Sequence, residues 1–573
     1  MIMIIQSIMK IENKKLLALT DEIYAYYNDQ PSYAKLLKGR YNKGNQFPDI
    51  SIEGFRAQMT TKNYYKKLVK TLIEVELLNN YDLLAAKELI YFIDYVMYSN
   101  AVIIPLCCSE EKFFYLEFGL TSYNMPIREL WQSFKLFPCF TDEDAINHLE
   151  LTNGYLKYTE QMLVKLKQQI EKGIYLYHLI IDNSIKNLRF LASFEYKDHP
   201  LSFNVGNSSA NENQIQMEEA NIHKANSNLN ELADILDSNA YRLNAPKEIG
   251  LRNYVDGSEY YKSLRLFHLD VDIEAAELHR HGKELLVNAL IQQDIIRDKY
   301  NFETSHEKFL EMIKDSELYN VVNAEDVEKL ANYYLDMISK KLPQYISETI
   351  KTPYMLKRLD PLLESSLTFG YFDPSDNIEV PGIYYYNGSD LPSKCHTYIP
   401  PLISHEIIPG HHFQQSYISE NEDLHPLLKE IQTGSYLEGW AEYASKLCFE
   451  MGAFDDFAEY GRLEMEKFAC VRLIIDTGIN ELGWNFEESV AFMKKNTFAT
   501  HEMAKSEVLR YGTSIPGQCL PYRFGRIQME ELRSYYFDKM GENGSLLEFH
   551  SLILNVGNVP MALLKEYLIN ELK

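Results

Sequence analysis

One short stretch of this chain has the residue types to do chemistry: His405-Glu406-Ile407-Ile408-Pro409-Gly410-His411-His412. Imidazoles bind transition metals, and a carboxylate beside them can act as a general base toward metal-activated water. The common zinc-hydrolase form is H-E-x-x-H, with the second ligand one helical turn on. Here that position is Pro409, which cannot bind metal, and the next histidine is His411 at i+6. On an unbroken helix i+6 falls roughly 240° around, on the wrong face. His412 at i+7 returns to the right face but lies roughly 10 Å further along the axis, too far to share one ion. The spacing therefore predicts a break or bulge at Ile408–Gly410. Pro409 removes a backbone donor and disfavours helical angles at Ile408. Gly410 accepts whatever dihedrals remain, so His411 can come back beside His405.

A zinc site needs a third protein ligand. Downstream runs Ser435-Tyr436-Leu437-Glu438-Gly439-Trp440-Ala441-Glu442-Tyr443-Ala444. A glutamate on a second helix roughly two to three dozen residues on completes a His-His-Glu set with water in the fourth position, the gluzincin arrangement. Glu438 and Glu442 are one turn apart. Glu438 is the expected ligand, because Gly439 beside it allows close approach. Glu442 is expected to be a solvated helix charge.

H-E-I-I-P-G-H-H-F-Q followed by E-G-W-A-E-Y-A resembles the paired motifs of domain-of-unknown-function family 885. The likeness continues through Arg472–Gly478 (RLIIDTG), Arg510-Tyr511, Pro516-Gly517-Gln518, Tyr522–Gly525, Phe549-His550 and Gly557–Pro560, with an upstream match at Glu277–Gly282. It covers roughly residues 250–573 well and the first 200 weakly. Asn480 stands where the family pattern has His, and Cys519-Leu520-Pro521 replaces a small residue without proline. The resemblance implies a gluzincin-like zinc metallopeptidase.

The expected function is thus a zinc-dependent hydrolase with one Zn2+ per chain held by His405, His411 and Glu438. It would act on a peptide or small amide, with Glu406 as general base. Tyr511 and Tyr522 are candidates for the donor that stabilises the oxyanion. Tyr385, Gln518 and Arg523 are candidates for substrate binding. Asp476 could orient a ligand histidine or cap a helix. His412 is expected to make a supporting contact and His550 to be a satisfied structural histidine. Two other classes remain open: hydrolysis of non-peptide amides or esters, and a non-catalytic helical metal-binding protein. The intact Glu406 argues against the latter, since a structural site has no use for a base.

The elements that must position these residues are mostly helical. Apolar residues recur at spacings of three and four over 10–40, 60–100, 140–190, 272–296 and 305–345. The exception is Val380-Pro381-Gly382-Ile383-Tyr384-Tyr385-Tyr386-Asn387-Gly388, β-branched and aromatic between turn residues. It reads as a strand beside the metal motif that could pair with an extended peptide. The fold class expected is mainly α, a large helical gluzincin-like metallopeptidase fold around a deep cleft, with a small β element at about 378–388. An N-terminal helical region (1–205), a polar Asn/Ser-rich loop or linker (206–230) and a catalytic region (231–573) are expected, the first and last able to pack as one unit.

A net charge of −25 argues against nucleic acid and anionic membrane as partners. Seven cysteines without C-x-x-C spacing, among them adjacent Cys107-Cys108, suggest reduced thiols. Met1–Ile5 lacks a basic start, a full apolar core and a cleavage site, so a cytoplasmic location is expected. Leu89–Cys108 is interrupted by Asp94, Asn100 and Pro105 and reads as a buried helix and turn.

Overall fold

Helices make up nearly all the regular structure of the computed structural model, which describes residues 9–42, 44, 46–98, 115–121, 124–203, 209–301, 305–361, 364, 370–375 and 377–573. Those that build or support the site are α1 (Lys14–Asp29), α2 (Ile52–Val75), α3 (Asn80–Tyr91), α4 (Asp142–Glu171), α5 (Ile181–Leu191), α6 (Glu212–Asp237), α7 (Gly257–Leu269), α8 (Ala275–Lys299), α9 (Ile399–Glu406), α10 (His411–Glu420), α11 (Gly434–Glu450), α12 (Asp456–Asn480) and α13 (Leu520–Met540). Their starts follow local capping chemistry. Asn13 accepts from the amides of Lys15 and Leu16, and Thr141 forms a reciprocal capping box with Asp144.

Two apolar cores meet along α12. Its first half (Ala458, Tyr460, Leu463) joins a core that also holds Leu16, Val69, Leu89, Phe92, Ile403 and Trp440. Its second half (Val471, Ile474, Ile475, Ile479) joins a core shared with Leu151, Tyr155, Leu188, Ile222 and Leu229. Residues from both sides of the expected 206–230 boundary therefore lie in each core. Leu16, Ile23, Val69, Leu89, Phe92 and Ile93 are fully buried. At roughly 1.5–3 kcal/mol per such side chain, their burial rivals the roughly 5–15 kcal/mol net stability of a typical domain. The N-terminal helices are integral to the body that carries the metal motif.

The expected linker needs correction. Residues 206–208 lie outside the described residues, but from Glu212 the chain is the 26-residue helix α6. The Asn-rich run is a helix start: Asn211 accepts from the Gln214 amide while the Gln214 side chain returns to the Asn211 amide. Ile222, Ala225, Leu229 and Leu232 then turn inward. The reading of Leu89–Cys108 holds as far as a helix and a π-helical turn (Phe92–Val96); residues 99–108, including Cys107-Cys108, lie outside the described residues. None of Cys139, Cys395, Cys448, Cys470 and Cys519 is disulfide-bonded. Among the described residues, no helix is long and apolar enough to cross a membrane.

The β element is present but is larger than expected. β1 (Tyr354–Arg358), β2 (Gly370–Asp373) and β3 (Gly382–Tyr386) form a sheet in the order β1-β3-β2. β3 pairs parallel with β1 and antiparallel with β2. The strand read from the sequence is thus the central one. Both of its edges are occupied, so it cannot itself take up a peptide as an added strand, contrary to expectation.

Candidate metal centre

Helix α9 is short and almost wholly buried, starts on Pro400 and Pro401, and ends at Glu406. Ile407 leaves helical angles (φ −111°, ψ −88°), the Ile408–Pro409 peptide is cis, and α10 begins at His411. Of the break or bulge expected, the chain has the break, with two separate helices on either side of it. Gly410 packs so tightly under the end of α9 that a Cβ there would lie 1.8 Å from the His405 carbonyl oxygen. Any side chain would push the two helices apart. The Trp440 indole, fully buried on α11, donates to the Pro409 carbonyl at 2.8 Å and ties the break to the helix that carries Glu438.

The result is a convergent triad. The His405 and His411 rings lie 4.7 Å apart, nearly perpendicular. Glu438 Oε2 lies 3.4 Å from His405 Nε2 and 3.4 Å from His411 Nε2. One ligand atom from each of the three residues falls within 4.8 Å of the others. Glu438 Oε2 is buried and makes no hydrogen bond among the described residues. Ligand atoms at about 2.0–2.1 Å from a tetrahedral zinc are about 3.3–3.4 Å from one another. The two 3.4 Å separations match that edge, and a His-His-carboxylate set suits zinc. The electrostatics agree. Burial opposes a charged His405, yet Glu438 and Glu442 raise it well above the ordinary histidine value. Burial likewise opposes ionised Glu438, yet the two histidines hold it far below the usual carboxylate range. The residues present call for positive charge at their centre and fit a divalent ion.

Glu442 corrects the sequence reading. It is not a solvated charge: its Oε1 lies 3.2 Å from His405 Nδ1, and its side chain is largely buried. A carboxylate there fixes the His405 ring and leaves Nε2 free to ligate. Glu438 and Glu442 share one face of α11, which crosses α13 at a glycine pair. A Cβ on Gly439 would meet the Gly525 backbone at 2.6 Å. That close crossing brings Tyr522 of α13 against the triad, its ring stacked on His405 at 6.3 Å and 7°.

Glu406 lies next to the ligand in sequence, partly buried, and burial raises its carboxyl above the ordinary value. Tyr384 is the tyrosine of β3 whose phenol feels the Glu406 charge; it is buried, and burial with that charge pushes it well up. Tyr385, the one expected from sequence, faces the opposite side of the sheet, where it stacks on Tyr371 at 5.1 Å. Period-2 alternation separates the two neighbours. His412 makes the expected supporting contact: Nε2 lies 3.1 Å from the Thr352 carbonyl, and its ring packs against Tyr354 and Phe372, joining the sheet to α10. His550 is the satisfied structural histidine, between the Tyr443 hydroxyl and the Tyr345 carbonyl.

A polar stripe on α12 holds the far wall. Arg472, Asp476 and Asn480, four residues apart, all clamp the segment 507–519. Arg472 Nε donates to the Tyr511 hydroxyl at 2.9 Å and pairs with Glu507. Asp476 accepts from the Gly517 amide at 2.8 Å and the Tyr261 hydroxyl at 2.6 Å. It thus neither orients a ligand histidine nor caps a helix. Asn480 donates to the Tyr511 carbonyl at 3.1 Å. The Arg472 guanidinium lies 5.2 Å above the Tyr522 ring, and Tyr511 donates to Glu507, so Tyr511 lies one layer behind Tyr522. Gln518 accepts from Arg510 at 2.5 Å and reaches the Tyr522 hydroxyl. Arg523 is 3% exposed and committed to Glu466, its Nη2 at 3.0 Å from Oε1. It belongs to a buried ion cluster, while its Nε and Nη1 make no hydrogen bond among the described residues.

The sequence matches the family described as "Bacterial protein of unknown function (DUF885)" over residues 31–568, and the chain belongs to that family. No curated protein matches it. Among solved structures it is similar to one described as the "putative lipoprotein from Colwellia psychrerythraea" (20% identity, TM-score 0.80, covering 98% of this chain and 99% of that one). It is also similar to "a putative lipoprotein of unknown function from Shewanella oneidensis" (16% identity, TM-score 0.76, covering 97% and 99%). At these identities the likeness concerns the fold. The description of both relatives as lipoproteins overturns the cytoplasmic placement expected from the sequence.

Proposed function

We propose that the protein is a zinc-dependent hydrolase, of gluzincin-like type, that cleaves peptide bonds. The observation that carries this reading is the meeting of His405 Nε2, His411 Nε2 and Glu438 Oε2 beside the carboxylate of Glu406. A zinc ion held by these three residues would supply Lewis acidity, acidifying water and polarising a carbonyl oxygen. Glu406 accepts the proton of the attacking water and returns it to the leaving amine. Tyr522, stacked on His405 and steadied by Gln518, donates its hydroxyl to the developing oxyanion. Glu442 keeps the His405 ring in the ligating tautomer. Tyr384, buried on β3, lies close enough to Glu406 to feel its charge.

The test is metal analysis joined to a mass-spectrometric cleavage screen on a broad peptide mixture. Wild type should carry about one zinc per chain and cleave peptides. Glu406→Gln should keep the zinc and lose roughly two to four orders of magnitude in turnover. Unchanged turnover in that variant removes the general-base reading. A zinc-loaded protein that cleaves amides or esters but no peptide moves the substrate class.

A further inference from the structure

Arg510 takes no part in the steps above, yet it lies beside the metal centre. It opens a π-helical turn, Arg510–Ser514, and its side chain keeps 18% of its surface exposed. Turns of this kind recur at functional sites. Its Nη2 donates to Gln518 Oε1 at 2.5 Å, and the Tyr522 phenol feels the charges of both Glu438 and Arg510. We propose that Arg510 receives a free carboxylate of the substrate, so that the protein favours peptides carrying one within about two residues of the bond it cuts. This inference rests on the hydrolase reading above.

The first argument is charge. Glu507 answers two guanidinium groups with a single carboxylate. Arg472 holds its Oε2 from Nε at 3.2 Å and Nη2 at 3.1 Å, and the Tyr511 hydroxyl donates to the same oxygen. Arg510 Nη1 stands 3.6 Å from Oε1, longer than an ordinary hydrogen bond. Asp476 is fully buried and accepts from Tyr261 and Gly517, so its charge is spent inside the wall. The positive charge that Glu507 does not match falls to Arg510.

The second is chemistry. A guanidinium is a planar fork of N–H donors that meets the two oxygens of a carboxylate, and it keeps its charge at any ordinary pH. Arg510 is held in place at one edge by Gln518 and at the other by the pull of Glu507. A group so positioned loses little freedom when a carboxylate arrives.

The third is reach. The Gln518 amide links Arg510 to the Tyr522 hydroxyl, so the two are separated by one hydrogen bond, an amide group and one further contact. Hydrogen bonds run to about 3 Å, and an extended peptide advances about 3.3–3.6 Å per residue. The carboxylate therefore lies within about two residues of the carbonyl that meets Tyr522. It has two sources, the C-terminus of a peptide or an acidic side chain close to the bond.

The experiment gives the zinc-loaded full chain short peptides of mixed sequence in three forms: free C-terminal acid, C-terminal amide, and amide with Asp in one of the last two places. Relative kcat/KM is read by mass spectrometry. The acid should be cut at least about tenfold faster than the plain amide. The Asp form identifies the source: cleavage as fast as the acid admits a side-chain carboxylate, and cleavage as slow as the amide leaves the C-terminus alone. Arg510→Gln should bring the acid-to-amide ratio near one, and Arg510→Lys should keep part of it. A merely structural role would slow both forms alike and leave the ratio unchanged. Equal cleavage of acid and amide by wild type, or a preference that survives Arg510→Gln, would overturn the proposal; a surviving preference would belong to the metal. The wild-type ratio carries the test if the variants do not fold. Binding of the same peptides to zinc-loaded Glu406→Gln, read by calorimetry, does not depend on turnover. If no peptide is cut, the hydrolase reading fails and binding still decides: an acid preference that Arg510→Gln removes supports the carboxylate site, and equal binding or none overturns it.

Discussion

Two buried charged clusters lie close together on the helices of the metal centre, and they are built on opposite principles. Around Glu466 three guanidinium groups close in: Arg462 Nη1 at 2.6 Å, Arg526 Nη1 at 2.8 Å and Arg523 Nη2 at 3.0 Å. Burial opposes the Glu466 charge, but these cations hold its carboxyl well below the usual range. The carboxylate is saturated by its own neighbours. Around Glu438 the partners stop at 3.4 Å, and one carboxylate oxygen makes no hydrogen bond among the described residues. The first cluster cross-links α12 to α13. The second leaves its central charge to be met by something else. The difference between the two clusters lies in that shortfall at the central carboxylate, not in residue type.

The sharpest way to break this comparison is to remove each central carboxylate. Glu438→Ala should drop zinc content to near nothing and abolish hydrolysis, with the fold retained, as measured by metal analysis and peptide turnover. Glu466→Ala should do the reverse. Three guanidinium groups left in the interior should destabilise the protein by about 3–5 kcal/mol, read by denaturant unfolding, while the folded fraction still binds zinc. If Glu466→Ala loses zinc and keeps stability, the two clusters have been assigned the wrong way round.

How much of this was legible in the sequence follows from the same physics. The triad was, because ligand chemistry restricts residue types and helical geometry restricts spacing; the anomaly at Pro409 pointed directly to the break between α9 and α10. The mainly helical character was also legible from apolar periodicity. Glu442 was missed even though it lies one turn from Glu438 on the same face; an i, i+4 carboxylate beside a metal ligand is a signal that could have been used. Tyr384 was missed for its neighbour because alternation tells which residues share a face but not which face is inward. β1 and β2 were missed because strands of four or five residues with mixed exposure carry little pattern. The helix α6 was hidden by its polar composition, although its capping residues were in plain view. The stripe Arg472–Asp476–Asn480 was visible as a motif, but its partners are remote in sequence, so its purpose was not.

That stripe gives the next prediction. Burial raises Asp476 to about 6, from 3.8 in its ordinary state. A carboxyl that holds its proton more tightly when folded stabilises the fold fully below about pH 4, and loses that contribution as pH rises through about 6. The difference across this window is about 3 kcal/mol at most. Asp476→Asn cannot titrate, so its unfolding free energy should lack that decline relative to wild type between about pH 4 and 6. Parallel pH dependence in the two proteins would show that Asp476 does not titrate in that window.

The smallest effect belongs to Glu442, and it tests whether the triad depends on its neighbours at all. Its Oε1 faces His405 Nδ1 at 3.2 Å, on the side of the ring away from Glu438. Glu442→Gln keeps size and position but removes the charge, and its amide can present a donor where the ring needs an acceptor. The ring would then be free to turn or to change tautomer, and Nε2 would spend less time aimed at the ligand site. Zinc affinity should fall by about 10–100-fold, measured by competition with a chelator of known strength. The deficit should shrink for Glu442→Asp if the shorter carboxylate still reaches Nδ1. His411 supplies the internal contrast, since its Nδ1 is buried without a hydrogen-bond partner among the described residues. Its ring is held by the packing of α10 against α11 instead. An affinity unchanged in Glu442→Gln would mean that packing alone orients both imidazoles, and that the site needs no carboxylate beyond Glu438 and Glu406.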